Sequence, residues 1–315
     1  MPFSIIKETG AFNVVRLVDS DSQTSAEIYS FGALLNSFNI SGNGKCHNII
    51  DGFATPQDAV DNITAGFKSA RLSPFVCRIT AGRYTFAGQE HAINKFFLGT
   101  EAIHGLLYDA PFTITAKGAD EQHAFVTLGY DYNKLDEGYP FSFHSVITYT
   151  LEKDGKLEIS TEITNTGRTE MPLTDGWHPY FSLGDNVNDW VFEMNTHEML
   201  EFSDKLVPTG NIIEHTAFSN PAQIGDTFLD NCFVLQNNGA PACTLSNPAN
   251  GLRLTILAEK NYPYLQVYTP PHRKSIAIEN LSGAPDAFNN GIGLIIVKPL
   301  EKFTFATVYK IHLSR

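Results

Sequence analysis

Residues 141–163 read FSFHSVITYTLEKDGKLEISTEI, and they indicate the fold more clearly than any other stretch of the chain. Most apolar side chains share one parity from 141 to 151 and again from 157 to 163, while polar side chains take the other parity. This period of two is typical of a β-strand with one buried face. Between the two segments lies Asp154-Gly155, which favours a tight turn because glycine accepts the positive φ that such turns need. The stretch therefore predicts an antiparallel hairpin.

The same alternation recurs along most of the chain. Further strands are predicted at 124–130, 191–195, 251–258, 264–269, 275–279 and 303–313. Helical periodicity is nearly absent, and the best candidate is a short helix at roughly 55–62, with Thr55 as N-cap and Pro56 at the first helical position. Many short strands with almost no helix predict an all-β sandwich of antiparallel sheets. No break in composition divides the chain, so a single domain over residues 1–315 is expected.

The composition of the 315-residue chain argues against several classes of partner. Its formal net charge is −12, and such a surface repels nucleic acid and anionic membranes, so neither is expected as a partner. The four cysteines show no C-x-x-C spacing, so no structural zinc site is predicted. The sequence shows neither the apolar region of a signal peptide nor a run long enough to span a membrane, so a cytoplasmic location is expected.

The candidate chemistry concentrates in the run Trp177-His178-Pro179-Tyr180-Phe181. Pro179 disfavours helical geometry at His178, so the imidazole is expected on a strand or at a strand end. A titratable ring flanked by aromatic side chains suits a sugar, because sugar C–H faces stack on aromatic rings and histidine exchanges a proton near neutral pH. Further along the chain, Glu279 can supply a base.

Other polar candidates follow one another along the chain. They are Arg78 in Cys77-Arg78-Ile79, Asn94, His104-Gly105, Asp175, Leu229-Asp230-Asn231 and Gln266-Val267-Tyr268-Thr269. Together with the run from Trp177 to Leu183, with Glu279 and with Pro285-Asp286-Ala287-Phe288-Asn289, this order of motifs resembles the aldose 1-epimerase (galactose mutarotase) family. The resemblance covers about residues 25–312.

The resemblance implies both a fold and a reaction. The fold would be the antiparallel β super-sandwich of galactose mutarotase, and the protein would be an isomerase that interconverts the α and β anomers of a free aldose. Glu279 would be the base at the sugar O1 and His178 the acid at the ring oxygen O5. His104 would assist His178 or hold a hydroxyl, and the remaining substrate-binding residues would be Arg78, Asn94, Asp230 and Gln266.

The implied reaction moves protons and needs no metal ion or organic cofactor. The expected partner is a small-molecule sugar, and the default assembly is a monomer, with a dimer left open. The roles require a protonated His178 and an ionised Glu279. Mutual attraction of the two charges is expected to raise the pKa of His178 and to lower that of Glu279.

This chain departs from the family pattern at two positions near the candidate site. Cys77 and Trp177 each stand where the family has asparagine, and both changes bear on the identity of the sugar. Pro179 resembles the branch that acts on free sugars more than the branch that acts on hexose 6-phosphates.

Three other functions stay open at the level of the sequence. One is a sugar-binding module that has lost catalysis. Another is a hexose-6-phosphate 1-epimerase, which needs basic residues at the rim of the pocket, with candidates Lys68, Arg71, Arg83 and Lys95. The third is a glycoside hydrolase that uses Asp175 and Glu279 as a carboxylate pair. The sequence leaves the preferred aldose, the pathway and the binding of any structural cation undecided.

Overall fold

The computed structural model describes residues 1–42 and 44–314, and antiparallel strands dominate it. Helical structure in these residues consists of short pieces: α1 (Pro56–Asn62), α2 (Ala287–Asn290) and 3₁₀ turns at Ile63–Ala65, Thr80–Gly82 and Val187–Asp189. The prediction of an all-β fold with antiparallel sheets is confirmed. Over the described ranges, no helix has the length and apolar character needed to cross a membrane.

Three larger sheets organise the described residues, and their strands are numbered here in chain order. The first sheet runs β1 (Phe3–Thr9), β2 (Asn13–Asp19), β3 (Thr24–Tyr29), β4 (Leu35–Gly42), β5 (Lys45–Asn48). The second runs β12 (Thr113–Ala119), β13 (His123–Asn133), β14 (Ser142–Glu152), β15 (Lys156–Asn165), β29 (Lys302–Leu313), β25 (Leu252–Lys260), β24 (Cys243–Asn247), β19 (Val191–Met194), β22 (Ala222–Gln223). The third runs β18 (Tyr180–Phe181), β27 (Ile276–Leu281), β26 (Tyr264–Tyr268), β23 (Asp230–Val234), β20 (Glu198–Phe202), β21 (Pro208–Glu214).

Shorter strands complete the framework, and several of them flank the candidate site. They are β10 (Phe97–Leu98), β11 (Glu101–Ile103) and β7 (Arg78–Ile79) in one small sheet, and the pairs β6 (Ala70–Arg71) with β17 (Trp177–His178), β16 (Met171–Leu173) with β28 (Ile295–Val297), and β8 (Arg83–Phe86) with β9 (Gln89–Ala92). The first sheet packs on the second through β2 against β13 and β14, which gives the expected sandwich.

The hairpin predicted from residues 141–163 is formed by β14 and β15. Leu151 pairs with Leu157 next to the turn, and Asp154 and Gly155 adopt φ values of 61° and 66°. A Cβ atom on Gly155 would lie 2.6 Å from the carbonyl oxygen of Ile311, so the turn also needs glycine for space. The apolar parity faces the core, where Ile147 is fully buried. The alternation in the sequence therefore records which face of the sheet is buried.

The other predicted elements are also present. The expected strands correspond to β13, β19, β25, β26, β27 and β29. Helix α1 begins as expected, because the Thr55 hydroxyl accepts a hydrogen bond from the Asp58 backbone N–H at 3.1 Å. Helix α2 was not predicted, since its single turn gives no periodic pattern.

A buried ion pair fixes the position of β17 in the core. The Arg71 guanidinium donates to the Asp175 carboxylate, and neither side chain is exposed. The Tyr262 hydroxyl donates to the same carboxylate at 2.7 Å, and the Trp177 ring lies over the guanidinium, with Cζ 4.1 Å from the ring centroid. Trp177 pairs with Arg71 across the strands. Because neighbouring residues on a strand point to opposite faces, His178 is turned away from this cluster.

Asp175→Ala is expected to lower the free energy of unfolding by about 3–5 kcal/mol, because it leaves the Arg71 charge buried and uncompensated. Tyr262→Phe removes one hydrogen bond to the carboxylate, and a loss of about 1.5–3 kcal/mol is expected. Urea unfolding at pH 7 measures both values. A loss for Asp175→Ala no larger than that for Tyr262→Phe would contradict this account of the ion pair.

Candidate active site

The candidate catalytic residues meet at the floor of a cavity of about 320 Å³. His178 Nε2 lies 3.4 Å from Glu279 Oε1, and the two residues are only 6% and 2% exposed. Both side chains reach the cavity from strands, His178 from β17 and Glu279 from β27. An acid–base pair is thus shielded from bulk solvent but accessible to a small molecule.

Pro179 marks the point where the chain passes from one pair of strands to the next. Before it, β17 pairs with β6, and after it β18 pairs with β27, with Tyr180 opposite Ala277. Proline has no N–H to donate to a ladder, so it suits this break. The break places His178 beside the strand that carries Glu279. The expectation of His178 at a strand end is confirmed.

The ladder of the third sheet brings the next polar residues to the same floor. On β26, Gln266 lies directly opposite Glu279 of β27, and on β23 Asp230 lies opposite Tyr268. Gln266 Nε2 donates to Asp230 Oδ1 at 2.9 Å. The structure therefore brings Asp230 and Gln266 together with the catalytic pair, and Arg78 and His104 line the same cavity.

Several buried polar atoms at this floor have no hydrogen-bond partner among the described residues. They are Arg78 Nε, His104 Nδ1, His178 Nδ1, Gln266 Oε1 and Glu279 Oε2. Buried polar atoms in folded proteins are nearly always paired. Their convergence in one cavity fits a ligand rich in hydroxyl groups, because each hydroxyl both donates and accepts.

Backbone strain accompanies the site. His104, Cys77 and Phe67 line the cavity and have φ values of 62°, 49° and 53°, a region that non-glycine residues seldom adopt. Next to His104, a Cβ atom on Gly105 would lie 2.4 Å from the Ser73 carbonyl oxygen, which explains the His-Gly pair in the sequence. Such strain is typical of sites that the surrounding structure holds in a fixed geometry.

The structure does not bring Asn94 to this cavity. Asn94 lines a neighbouring cavity with Lys95 and Tyr130, and its backbone N–H donates to Asp136 Oδ2 at 2.9 Å. Its expected place beside the sugar is therefore corrected. Sequence order gave no information on which side of the 94–104 segment each polar side chain would face.

The carboxylate pair of Asp175 and Glu279, predicted for a hydrolase, does not form in the cavity. Asp175 is held in the core by Arg71 and Tyr262 and is not a lining residue, so it cannot work with Glu279 across a substrate.

The basic residues proposed for a phosphate are not at the rim. Arg71 is buried, Lys68 bonds to Asp51 at 2.7 Å, and Lys95 donates to Asp109 beside the neighbouring cavity. Arg83 is exposed and does not line the site. Among the described residues that line the cavity, Arg78 is the only lysine or arginine. This charge pattern disfavours a phosphorylated sugar.

The protonation state of the pair differs from the expectation. Burial lowers the pKa of His178 to about 4. Burial, with a smaller contribution from the Asp230 charge, raises the pKa of Glu279 well above its ordinary value. The expected rise in the pKa of His178 and fall in the pKa of Glu279 are therefore wrong, because loss of water outweighs mutual attraction. Burial therefore favours the neutral form of both side chains.

His104 is also neutral in this environment. Burial lowers its pKa well below the ordinary value, and the nearby His178 and Arg78 lower it further. Its ring lies 4.8 Å from that of His178 in an edge-to-face arrangement. A neutral imidazole has one donor and one acceptor, which suits it to a sugar hydroxyl.

Sequence reasoning missed the apolar walls of the cavity. They include Phe67, Phe96, Leu98, Phe202 and Leu206. With 23 phenylalanines in the chain, nothing marked these few as site residues. Tyr180 does line the cavity, as the strand parity allowed, whereas Trp177 and Phe181 belong to the core.

Over residues 1–42 and 44–314, no group of three His, Cys, Asp or Glu side chains is placed to hold a metal ion. The expectation of a reaction without metal or cofactor stays a prediction.

Comparison with known proteins identifies the family. A family model described as aldose 1-epimerase matches residues 14–310. An uncharacterized protein of Escherichia coli K12, YihR, is 27% identical over 237 residues, which are 72% of this chain and 73% of YihR. A maltose epimerase of Levilactobacillus brevis is 23% identical over 263 residues, which are 76% of this chain and 74% of that enzyme.

Among solved structures, a galactose mutarotase-like protein of Clostridium acetobutylicum superposes with a TM-score of 0.88 at 17% identity, covering 99% of both chains. This likeness concerns the fold. It confirms the galactose mutarotase-like β architecture implied by the sequence.

In the free protein, the His178 ring is expected to stay neutral down to pH 5 and to begin protonating only near its lowered pKa of about 4. The nitrogen shifts of ¹⁵N-labelled histidine rings measure this, with the resonance assigned by its loss in His178→Asn. Since the unfolded chain binds this proton at higher pH, the folded state should lose stability as pH falls from about 6.5 toward 4. A midpoint above 6.5 would contradict the account of burial.

Proposed function

The chain belongs to the aldose 1-epimerase family, and from that membership we propose that it interconverts the α and β anomers of a free, unphosphorylated aldose. One observation carries the proposal. An imidazole nitrogen and a carboxylate oxygen lie 3.4 Å apart at the floor of a small cavity, next to groups that can hold hydroxyls. Mutarotation needs this combination, because one group must remove a proton from the sugar while another supplies one.

The reaction conserves atoms, protons and electrons. Glu279 takes the proton from the O1 hydroxyl, the C1–O5 bond breaks, and C1 and O1 form a carbonyl. His178 gives a proton to O5, which becomes a hydroxyl. Rotation about the C1–C2 bond presents the other face of the carbonyl, and ring closure reverses the transfers. The enzyme ends with its proton back on His178.

The roles need an ionised Glu279 and a protonated His178, whereas burial favours the neutral form of both. Transfer of the Glu279 proton to His178 generates the charged form that the reaction needs. Sugar hydroxyls at the floor supply the hydrogen bonds that burial has removed, and hydrogen bonding to a charged form favours it. Substrate binding thus shifts the pair toward the reactive arrangement.

The remaining polar residues of the cavity are suited to bind the hydroxyls of a pyranose ring. Asp230 accepts and Gln266 both donates and accepts, and the two are already aligned by their own hydrogen bond. Arg78 supplies donors, and neutral His104 supplies one donor and one acceptor. Fixed positions for these groups lower the entropic cost of orienting the sugar.

Glu279→Gln and His178→Asn are each expected to lower kcat by about 10²–10⁴-fold, because each removes one proton-transfer partner. KM should change much less, since other groups hold the sugar. Polarimetry of freshly dissolved α-D-glucose and α-D-galactose measures the rates. Matched substitutions at exposed positions outside the cavity, Glu214→Gln and His312→Asn, should leave the rates unchanged.

Three results would point elsewhere. Wild-type rates in both Glu279→Gln and His178→Asn would contradict the assignment of these two residues as base and acid. Saturable sugar binding by the wild-type protein without any acceleration would favour a binding module. Acceleration confined to glucose 6-phosphate would favour the phosphosugar enzyme.

In the proposed mechanism, the active form carries one proton shared between His178 and Glu279. The pH profile of kcat/KM should follow the population of this form. Activity is expected to fall on the acid side near the His178 pKa of about 4 and on the basic side at the raised pKa of Glu279. Asp230→Asn removes a negative charge that helps to raise the Glu279 pKa, so the basic limb should move to lower pH. A basic limb that stays in place or moves to higher pH in Asp230→Asn would contradict this coupling.

A further inference from the structure

Lys95 binds the segment of chain that follows His104. Its ammonium group donates to the Leu106 carbonyl oxygen at 2.9 Å and to the Asp109 carboxylate, and its Nζ lies 4.5 Å from the centroid of the Tyr108 ring. We propose that Lys95 is a positioning residue that holds the His104 imidazole in place at the floor of the cavity. This role rests on the proposed function, in which His104 binds a hydroxyl of the sugar.

The backbone turn at His104 needs such a restraint. His104 and the glycine after it have φ values of 62° and 72°, and a histidine in this strained region persists only where the surrounding contacts hold it. The His104 N–H donates to the Cys77 carbonyl at 2.8 Å, and the Leu106 N–H donates to the Ser73 carbonyl at 2.7 Å. Because Lys95 binds the Leu106 carbonyl, both polar groups of the residue that leaves the turn are fixed.

A second set of contacts links Lys95 to the site through aromatic rings. The Tyr108 ring, which lies under the Lys95 ammonium, packs at a right angle to the Phe67 ring, with centroids 5.2 Å apart. The Phe67 ring lies 4.6 Å from the His104 ring, and the His104 ring lies 4.8 Å from that of His178. Tyr108 and Phe67 are both buried, and closely packed rings transmit a displacement to their neighbours. A shift at Lys95 would therefore reach His104.

Lys95 itself lies outside the catalytic cavity. It lines the neighbouring cavity with Asn94, whereas the next residue, Phe96, lines the catalytic cavity. The Lys95 side chain is 26% exposed, and the Asp109 carboxylate beside it compensates its charge. Lys95 is therefore not placed to touch a sugar at the floor, and an effect of Lys95 on the reaction must act through the residues that it holds.

Lys95→Met keeps the aliphatic part of the side chain and removes its donors. In polarimetry with α-D-glucose and α-D-galactose, it is expected to raise KM about three- to tenfold, as loss of one neutral hydrogen bond to the sugar implies. The value of kcat should change less than about twofold, because a contact made equally in the ground and transition states affects KM. Lys95→Arg restores a cationic donor and should lower KM again toward the wild-type value. Lys156→Met is the matched control, since Lys156 is 36% exposed and pairs with Glu152 at 3.1 Å outside the cavity, and it should leave KM unchanged.

A double variant tests whether the effect acts through His104. His104→Asn alone should raise KM, and adding Lys95→Met should raise it further by less than about twofold, because the ring that Lys95 positions is already gone. Multiplication of the two single effects, or an unchanged KM in Lys95→Met, would overturn the positioning role. Lys95→Gln replaces Lys95→Met in both comparisons if the latter does not fold.

NMR of ¹³C-labelled histidine rings separates failure of this positioning role from failure of the proposed function. The ring resonances of His104, assigned by their loss in His104→Asn, depend on the position of the neighbouring Phe67 ring. Lys95→Met should shift them and Lys95→Arg should return them toward the wild-type values, while those of the exposed His312 stay in place. Such shifts in a protein that accelerates no sugar would support the positioning role and contradict the proposed function. Unchanged His104 resonances in Lys95→Met would refute the positioning role whatever the activity.

Discussion

The position of His178 depends on the buried ion pair between Arg71 and Asp175. The pair lies on the core face of β17, under Trp177, and a second strand reaches it through Arg71. Charges that have lost water cannot separate without a large cost in free energy. The core face of β17 is therefore fixed, and the alternation of a strand then directs the next side chain, His178, to the opposite side. An interaction in the core, outside the cavity, thus sets the position of the His178 ring in the cavity.

Exclusion of water has a second consequence at the floor itself. The same burial that shields His178 and Glu279 also favours their neutral forms, so the pKa of His178 falls and that of Glu279 rises. Under the proposed function, the hydroxyls of the sugar offset part of this effect, because hydrogen bonds to a charged form favour that form.

Much of this arrangement could be predicted from the sequence, and the rest depended on distant contacts. The hairpin of β14 and β15 follows from local alternation and Asp154-Gly155, and the family pattern supplied His178, Glu279, Asp230 and Gln266. The pattern carried no information on burial, so it gave the wrong direction for the pKa values of His178 and Glu279. Asp175 looked like a site residue because it stands near His178, yet its partner is 104 positions away. Asn94 lines another cavity. The spacing of residues along the sequence does not show which cavity a residue will line.

The polar floor of the cavity and its apolar walls are built in different ways. Asp230, Gln266 and Glu279 lie on neighbouring strands β23, β26 and β27, where backbone ladders hold each side chain in register with the next. A change in one strand would move the others, so the floor tolerates little variation. Leu98 and Phe202 come from the ends of the strands β10 and β20, and Leu206 comes from a loop. These wall positions can change without disturbing the ladders. Under the proposed function, this division would let the floor keep one proton-transfer reaction while the walls change with the sugar.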